Sequence, residues 1–224
     1  MSSERSGVAA DDHAKPWETV RRGLLLLVSS PAGAGKTSLS RRLVADYADM
    51  ILSISATTRG PRPGEEEGRE YFFKSREQFE AMVEAGELLE WAEVNGNCYG
   101  TPKAPVMAAM EAGKDVLFDI DWQGAQQVAE KAPSDSVRVF VLPPSWSDLS
   151  RRLHARAQDS TQIIQQRLDL GRQEIAHWGE YDYVIVNKDF DRAYADLLHI
   201  YRAERMKPGR NPWLPGFVQG LADE

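Results

Sequence analysis

The sequence has little of what would place it in several broad protein classes. It holds one cysteine, Cys98, so no disulfide forms within the chain. Disulfide-stapled scaffolds are thereby excluded, and a reducing compartment is expected. The four histidines, His13, His154, His177 and His199, lie far apart in sequence, and no Cys/His spacing of a zinc site appears. Long apolar runs are missing as well. The longest, residues 24–28, falls far below the ~20 residues that a membrane helix requires. Residues 1–10 carry Glu4 and Arg5 and have no apolar centre, which predicts no secretory signal. There is no excess of basic charge either. Lys and Arg number 27 against 34 Asp and Glu, for a net charge of -7. That balance is opposite to the usual one in proteins that wrap nucleic acid. A cytoplasmic protein with no nucleic-acid or membrane partner is expected, and a homo-oligomer is left open. Any bound phosphate must be held by local groups of Arg and Lys, against the overall field.

What is present points to an α/β fold. The chain of 224 residues, 42% of them hydrophobic, is long enough for one sizeable core with an inserted lobe. Residues 23–29 (GLLLLVS) read as a strand buried on both faces. Residues 37–47 follow with helical spacing, Leu39, Leu43 and Val44 sharing a side. Further buried strands are predicted at 115–120, 137–142 and 183–186. Helices are predicted at 122–131, 148–156, 161–178 and 190–205. This alternation predicts a parallel sheet flanked by helices, formed from 21–54 and 102–206. Residues 55–101 break the rhythm. They are rich in Gly, Pro, Arg, Glu and aromatics, with strand-like pieces only at 70–74 and 88–94 and one helix near 75–85. They read as a small inserted mixed α/β lobe. Residues 1–20 and 207–224 are predicted to be tails; the three prolines after Met206 argue against regular structure there.

The sharpest motif is SPAGAGKT at 30–37, placed between a buried strand and a helix start as a P-loop requires. Gly33 and Gly35 let the backbone bend so that successive N–H groups face one concavity. The helix that starts there adds its positive end. Lys36 can reach β- and γ-phosphates, and the Thr37 hydroxyl can ligate Mg²⁺. Ser30 stands where the general pattern has its first glycine, but the Gly-Lys-Thr end is intact. Pro31, Ala32, Ala34 and Ser38 complete the stretch expected to surround ATP. Asp119, at the carboxyl end of the strand at 115–120, is expected beside this loop, where it can hold a Mg²⁺-bound water. Asp121, two residues on, would share a face with Asp119 if the strand continued.

The inserted lobe carries a second set of polar residues. Arg59 and Arg62 lie on a Gly/Pro-rich loop, and fork-shaped guanidinium donors suit a phosphate monoester. Tyr71 and Tyr99 can add hydroxyl donors. Glu90, next to Trp91 in an apolar stretch, must find donors or shift its pKa. Guanine offers N1–H and the 2-amino group side by side; adenine presents an acceptor at N1. A carboxylate thus favours guanine.

Taken together these residues resemble the guanylate kinases. The likeness spans about 23–205. It rests on SPAGAGKT at 30–37, SATTRGPRPGE at 55–65, YFF at 71–73, EWA at 90–92, GNCYGT at 96–101, DIDWQG at 119–124 and VIVN at 184–187. The resemblance implies transfer of the γ-phosphoryl group of ATP to GMP, with Mg²⁺ accompanying ATP. It implies that Arg59, Arg62, Tyr71 and Tyr99 hold the GMP phosphate. Ser55, Glu90, Thr101 and Asp121 would read the guanine, and Asn187 would lie near the adenine. A mobile helical lid, about 150–170, would bring Arg152, Arg156 and Arg167 to the transferring phosphoryl group. Cys98, Ala155 and Ala157 depart from common family residues without removing a charge. Two competing readings remain: a related P-loop kinase of another small phosphate ester, and a non-catalytic guanylate-kinase-like scaffold. Glu90 and Asp121 speak against the first, and the intact Gly35-Lys36-Thr37 against the second.

Overall fold

The four leucines at 24–27 are completely buried because the strand they enter lies in the middle of a sheet covered on both faces. Alternate side chains go to opposite faces of a strand. Leu24, Leu26 and Val28 accordingly join one apolar cluster, and Leu25 and Leu27 join a second. Each fully buried leucine stabilises the fold by about 1.5–3 kcal/mol.

The computed structural model describes residues 21–94, 96–155 and 161–224. Its strands, in chain order, are Leu25–Ser29 (β1), Met50–Leu52 (β2), Ser55–Thr57 (β3), Tyr71–Phe73 (β4), Leu88–Val94 (β5), Asn97–Pro102 (β6), Asp115–Asp119 (β7), Ser136–Leu142 (β8) and Tyr183–Val186 (β9). Its helices are Lys36–Asp46 (α1), Arg76–Glu84 (α2), Lys103–Glu111 (α3), Trp122–Lys131 (α4), Trp146–Ala155 (α5), Thr161–Ile175 (α6), Phe190–Arg205 (α7) and Leu214–Ala222 (α8). Five strands form a wholly parallel sheet in the order β2-β7-β1-β8-β9. Leu39 and Leu43 of α1, Leu149 and Leu153 of α5, Ile164 and Leu168 of α6 and Leu197 of α7 pack on one face. Val106 and Met110 of α3 and Ala125 and Val128 of α4 pack on the other. The remaining strands form a separate mixed sheet, order β4-β3-β6-β5, with α2 laid on it through Phe79. Ser75 caps α2 in a reciprocal pair with Gln78, which fixes where that helix starts.

Several elements differ from the sequence expectations. The parallel sheet gains β2, a three-residue strand too short to show a period. Strands β3 and β6 complete the smaller sheet, and α3 follows β6 directly. The run expected to be one helix over 161–178 ends at Ile175 and tightens into a 3-10 turn at Ala176–Glu180. The tail beyond Met206 is not irregular: it forms a 3-10 turn at Pro208–Arg210 and then α8. Pro215 lies in the first turn of α8, where a missing N–H costs nothing. Among the described residues no helix is long and apolar enough to cross a membrane.

Candidate active site

The turn between β1 and α1 has the conformation its glycines allow. Gly33 and Gly35 both have positive φ, 92° and 105°. Gly35 is the tighter position, because a Cβ there would stand 2.2 Å from the Asn187 side-chain nitrogen. That nitrogen donates to the Ala34 carbonyl at 2.7 Å, and Asn187 is almost fully buried. Arg152 of α5 closes the same side, donating to the Asn187 carbonyl at 2.9 Å and the Ala34 carbonyl at 3.4 Å. The end of β9 and the face of α5 therefore brace the loop from behind. Arg167 is half-buried on α6. Arg156 lies outside the described residues.

In front of the loop is a cavity of about 280 Å³ lined by Ser30, Pro31, Ala32, Gly33, Gly35, Lys36, Thr37, Asp121 and Glu174. Lys36 Nζ stands 2.8 Å from Asp119 Oδ1 and donates to the Ile120 carbonyl at 2.8 Å. Asp119 is thus at the loop, as its place at a strand end predicts. Asp121 is not on the strand: β7 stops at Asp119, and Asp121 is the N-cap of α4, accepting the Gly124 N–H at 2.8 Å. The expectation of a shared strand face fails because the chain turns into a helix one residue later. Thr37 and Ser38 are at the start of α1, and both are exposed.

Glu174 has no counterpart in the sequence expectations. Its carboxyl, on α6, accepts from the Ala32 amide and is pushed up to about 7, first by burial, with Asp121 adding to the rise and Lys36 opposing it. Gly171, one turn earlier, lets α6 approach this closely, since a Cβ there would lie 3.3 Å from Pro31 Cβ. The spacing of Arg167, Gly171 and Glu174 along one helix face was the available signal.

The smaller sheet gathers the second group. Glu90 on β5 is paired in register with Thr101 on β6, and the Thr101 hydroxyl donates to Glu90 Oε1 at 2.6 Å. Burial raises the Glu90 pKa, the Thr101 bond opposes the rise and the charge of Asp121 adds to it. Gly124 stands between the two carboxylates: a Cβ there would be 3.4 Å from Glu90 Oε2 and 3.5 Å from Asp121 Oδ1. Ser55, at the start of β3, is paired with Tyr71. The Tyr71 and Tyr99 rings meet edge to face at 6.1 Å, and the Arg59 guanidinium lies 5.2 Å from the centre of the Tyr71 ring. Arg59 also binds Glu65, donating to both carboxylate oxygens at 2.8 and 3.0 Å. The Arg62 amide donates to Glu65 Oε2 at 2.8 Å, while its side chain is exposed. Glu65, six residues after Arg59, was missed as a partner although it lies inside the motif that names the arginines.

The geometry therefore offers an amide cradle with a lysine, two carboxylates facing one point from β5 and α4, and a ring-backed arginine farther along the small sheet. Comparison with known proteins agrees. The family model described as "Guanylate kinase" matches residues 22–204. A guanylate kinase of Caulobacter vibrioides is 59% identical over 203 residues, covering 91% of this chain and 95% of that protein. One of Maricaulis maris is 56% identical over 204 residues, covering 91% and 94%. The crystal structure of guanylate kinase from Anaplasma phagocytophilum is similar with a TM-score of 0.70 at 36% identity, covering 89% of this chain and 95% of that one.

Proposed function

This chain belongs to the guanylate kinase family and transfers the γ-phosphoryl group of ATP to GMP, giving ADP and GDP; we propose the following division of labour among its residues. Residues Ser30 to Ser38 surround the ATP phosphates, which are held by the backbone N–H groups that follow Pro31 and by the Lys36 ammonium. Arg59, Arg62, Tyr71 and Tyr99 hold the phosphate of GMP. Ser55, Glu90, Thr101 and Asp121 read the guanine edge. Residues 55–101 are then the GMP lobe, 21–54 with 102–206 the core, and about 150–170 the lid. Arg152, Arg156 and Arg167 stabilise the charge that spreads over the equatorial oxygens during transfer, which requires Arg152 to leave the Ala34 and Asn187 carbonyls that it binds here. Asn187 acts from the rear of the loop.

One observation carries this reading: Asp121 belongs to both halves. It lines the phosphate-loop cavity and flanks Gly124 opposite Glu90. That the two groups of residues adjoin supports a pair of neighbouring nucleotide sites, which direct transfer from one nucleotide to the other requires.

Mg²⁺ fits this donor set. The Thr37 hydroxyl and the Asp119 carboxylate are hard oxygen ligands, few in number, as suits an ion that keeps most of its waters and phosphate ligands. Held there with ATP, it would supply positive charge against the phosphates. Lys36, now on Asp119, would swing to the phosphates. No general base of special pKa is needed, since positioning and electrostatics carry such transfers. The buried thiol of Cys98 and the bacterial relatives support a cytoplasmic place in purine nucleotide metabolism.

The test is Lys36→Ala in a coupled assay of ADP release, with GMP, AMP, UMP and a sugar phosphate as acceptors. The wild type should prefer GMP, and the variant should lose roughly a thousandfold or more in kcat. Turnover of GMP near the wild-type rate in the variant would overturn the assignment.

A further inference from the structure

We infer that Gln127 is a positioning residue for base recognition: it fixes strand β5 so that Glu90 faces the guanine edge. This rests on the reading of Glu90 given above. Strand β5 is the outer strand of the small sheet, with β6 on one side only. Its register against β6 slips between Leu88 and Glu90, so the ladder is interrupted next to the functional carboxylate. An outer strand with a broken ladder is the least well-fixed kind of strand, and its outward N–H and C=O groups need partners.

Helix α4 supplies them. The Gln127 side chain accepts the Trp91 N–H at 3.1 Å and donates to the Trp91 carbonyl at 3.1 Å. This is the pair of bonds that a residue of a neighbouring strand would make. One turn on, Lys131 donates to the Leu88 carbonyl at 2.9 Å. The two anchors therefore bracket Glu90. From the other side, Gly100 of β6 lets the strands close: a Cβ there would stand 2.7 Å from the Glu90 carbonyl and 2.8 Å from Trp91 Cβ. A carboxamide presents an N–H donor and a C=O acceptor side by side, matching a backbone N–H and C=O pair; ionised glutamate offers acceptors alone, and leucine neither. Asp121 is the N-cap of the same helix. Asp121, Gly124, Gln127 and Lys131 follow at steps of three, three and four, so they share one helix face. That face carries one base-reading carboxylate and sets the position of the other.

The experiment compares Gln127→Leu and Gln127→Glu with the wild-type enzyme in steady-state assays, varying GMP, inosine monophosphate and ATP separately. Inosine monophosphate lacks the 2-amino group, so the ratio of its kcat/KM to that of GMP reports how well Glu90 is placed. With Gln127→Leu, KM for GMP should rise roughly tenfold or more and the preference for GMP should fall at least about fivefold. KM for ATP should stay within about twofold. Gln127→Glu keeps the bond from the Trp91 N–H and should fall between. A merely structural role would lower the melting temperature or the active fraction and leave the GMP preference alone. The inference is overturned if both variants keep the GMP preference within about twofold of wild type, or if the KM values for ATP and GMP rise together. If the wild type itself showed no preference for GMP, the reading of Glu90 would fall first, so the two failures are distinguishable.

Discussion

Replacing Glu90 by glutamine should move activity and stability in opposite directions. Glu90 is 8% exposed and takes a bond of 2.6 Å from the Thr101 hydroxyl. Glutamine keeps the shape, and its carbonyl can keep that bond. Its NH₂, however, replaces an acceptor that should face a guanine donor. Hydrogen bonds to a charged group contribute about 1.5–3 kcal/mol each. With one bond lost and the other left to a neutral acceptor, the cost is about 3–6 kcal/mol. That corresponds to a fall of roughly 10² to 10⁴ in kcat/KM for GMP. Stability follows another rule. Burial raises the Glu90 pKa above its ordinary 4.5, so between the unfolded and folded values the folded protein binds more protons. Stability contributed by such a group falls as pH rises through that window. The glutamine side chain does not titrate and avoids the loss. E90Q should therefore melt at or above the wild-type temperature at about pH 8, with the gap closing below the ordinary glutamate range. Coupled ADP-release kinetics and thermal melts at both ends of the window check both halves. A kcat/KM for GMP within about tenfold of wild type, or a lower melting temperature at the alkaline end, would refute the reasoning.

Two further outcomes are expected. Glu174 gains its charge as pH rises through about 7, inside the cavity that receives the triphosphate. KM for ATP should therefore rise between about pH 6 and pH 8, and E174Q should show a flatter profile with KM about fivefold lower at the alkaline end. Superimposable pH profiles for the two proteins would count against it. Asp115 is fully buried and accepts from Arg21 at 2.8 and 2.6 Å, from the Leu24 amide at 2.9 Å and from the Tyr201 hydroxyl at 2.6 Å. Asp115→Ala should cost about 3–5 kcal/mol by stranding the mostly buried Arg21 guanidinium, lowering the melting temperature by about 10 °C. A loss of under about 3 °C would show that Arg21 finds water or another partner.

What was legible in the sequence differs in kind from what was not. Gly33, Gly35, Lys36 and Thr37 act within one turn, so their spacing alone predicts their chemistry. The buried strands β1, β7 and β8 show as apolar runs because they lie inside a sheet covered by helices, whereas β9, equally apolar in sequence and expected to be buried, is the edge strand and leaves Val184 and Val186 exposed. Strand β2 is equally parallel but has three residues and a burial pattern that passes from buried to exposed, so no run marks it. Helix α8 was hidden by reading Pro215 as a breaker, although proline in a first turn does not break a helix. The missed residues of the site share a different cause. Glu65, Gln127 and Glu174 each complete another group: the fork of Arg59, the open edge of β5, the amide of Ala32. Their roles exist only once tertiary pairing creates the need. Gln127 shows this most clearly. Its side chain matters because β5 lies outermost in the order β4-β3-β6-β5, and no local pattern states which strand of a sheet is outermost. The stripe Asp121, Gly124, Gln127, Lys131 was nonetheless visible as a polar and small-residue face on a short helix that is apolar at Ala125 and Val128. Helix α4 keeps a solvent side at Gln123, Gln126 and Glu130, so a second polar stripe on the same helix is better read as a contact face than as a surface.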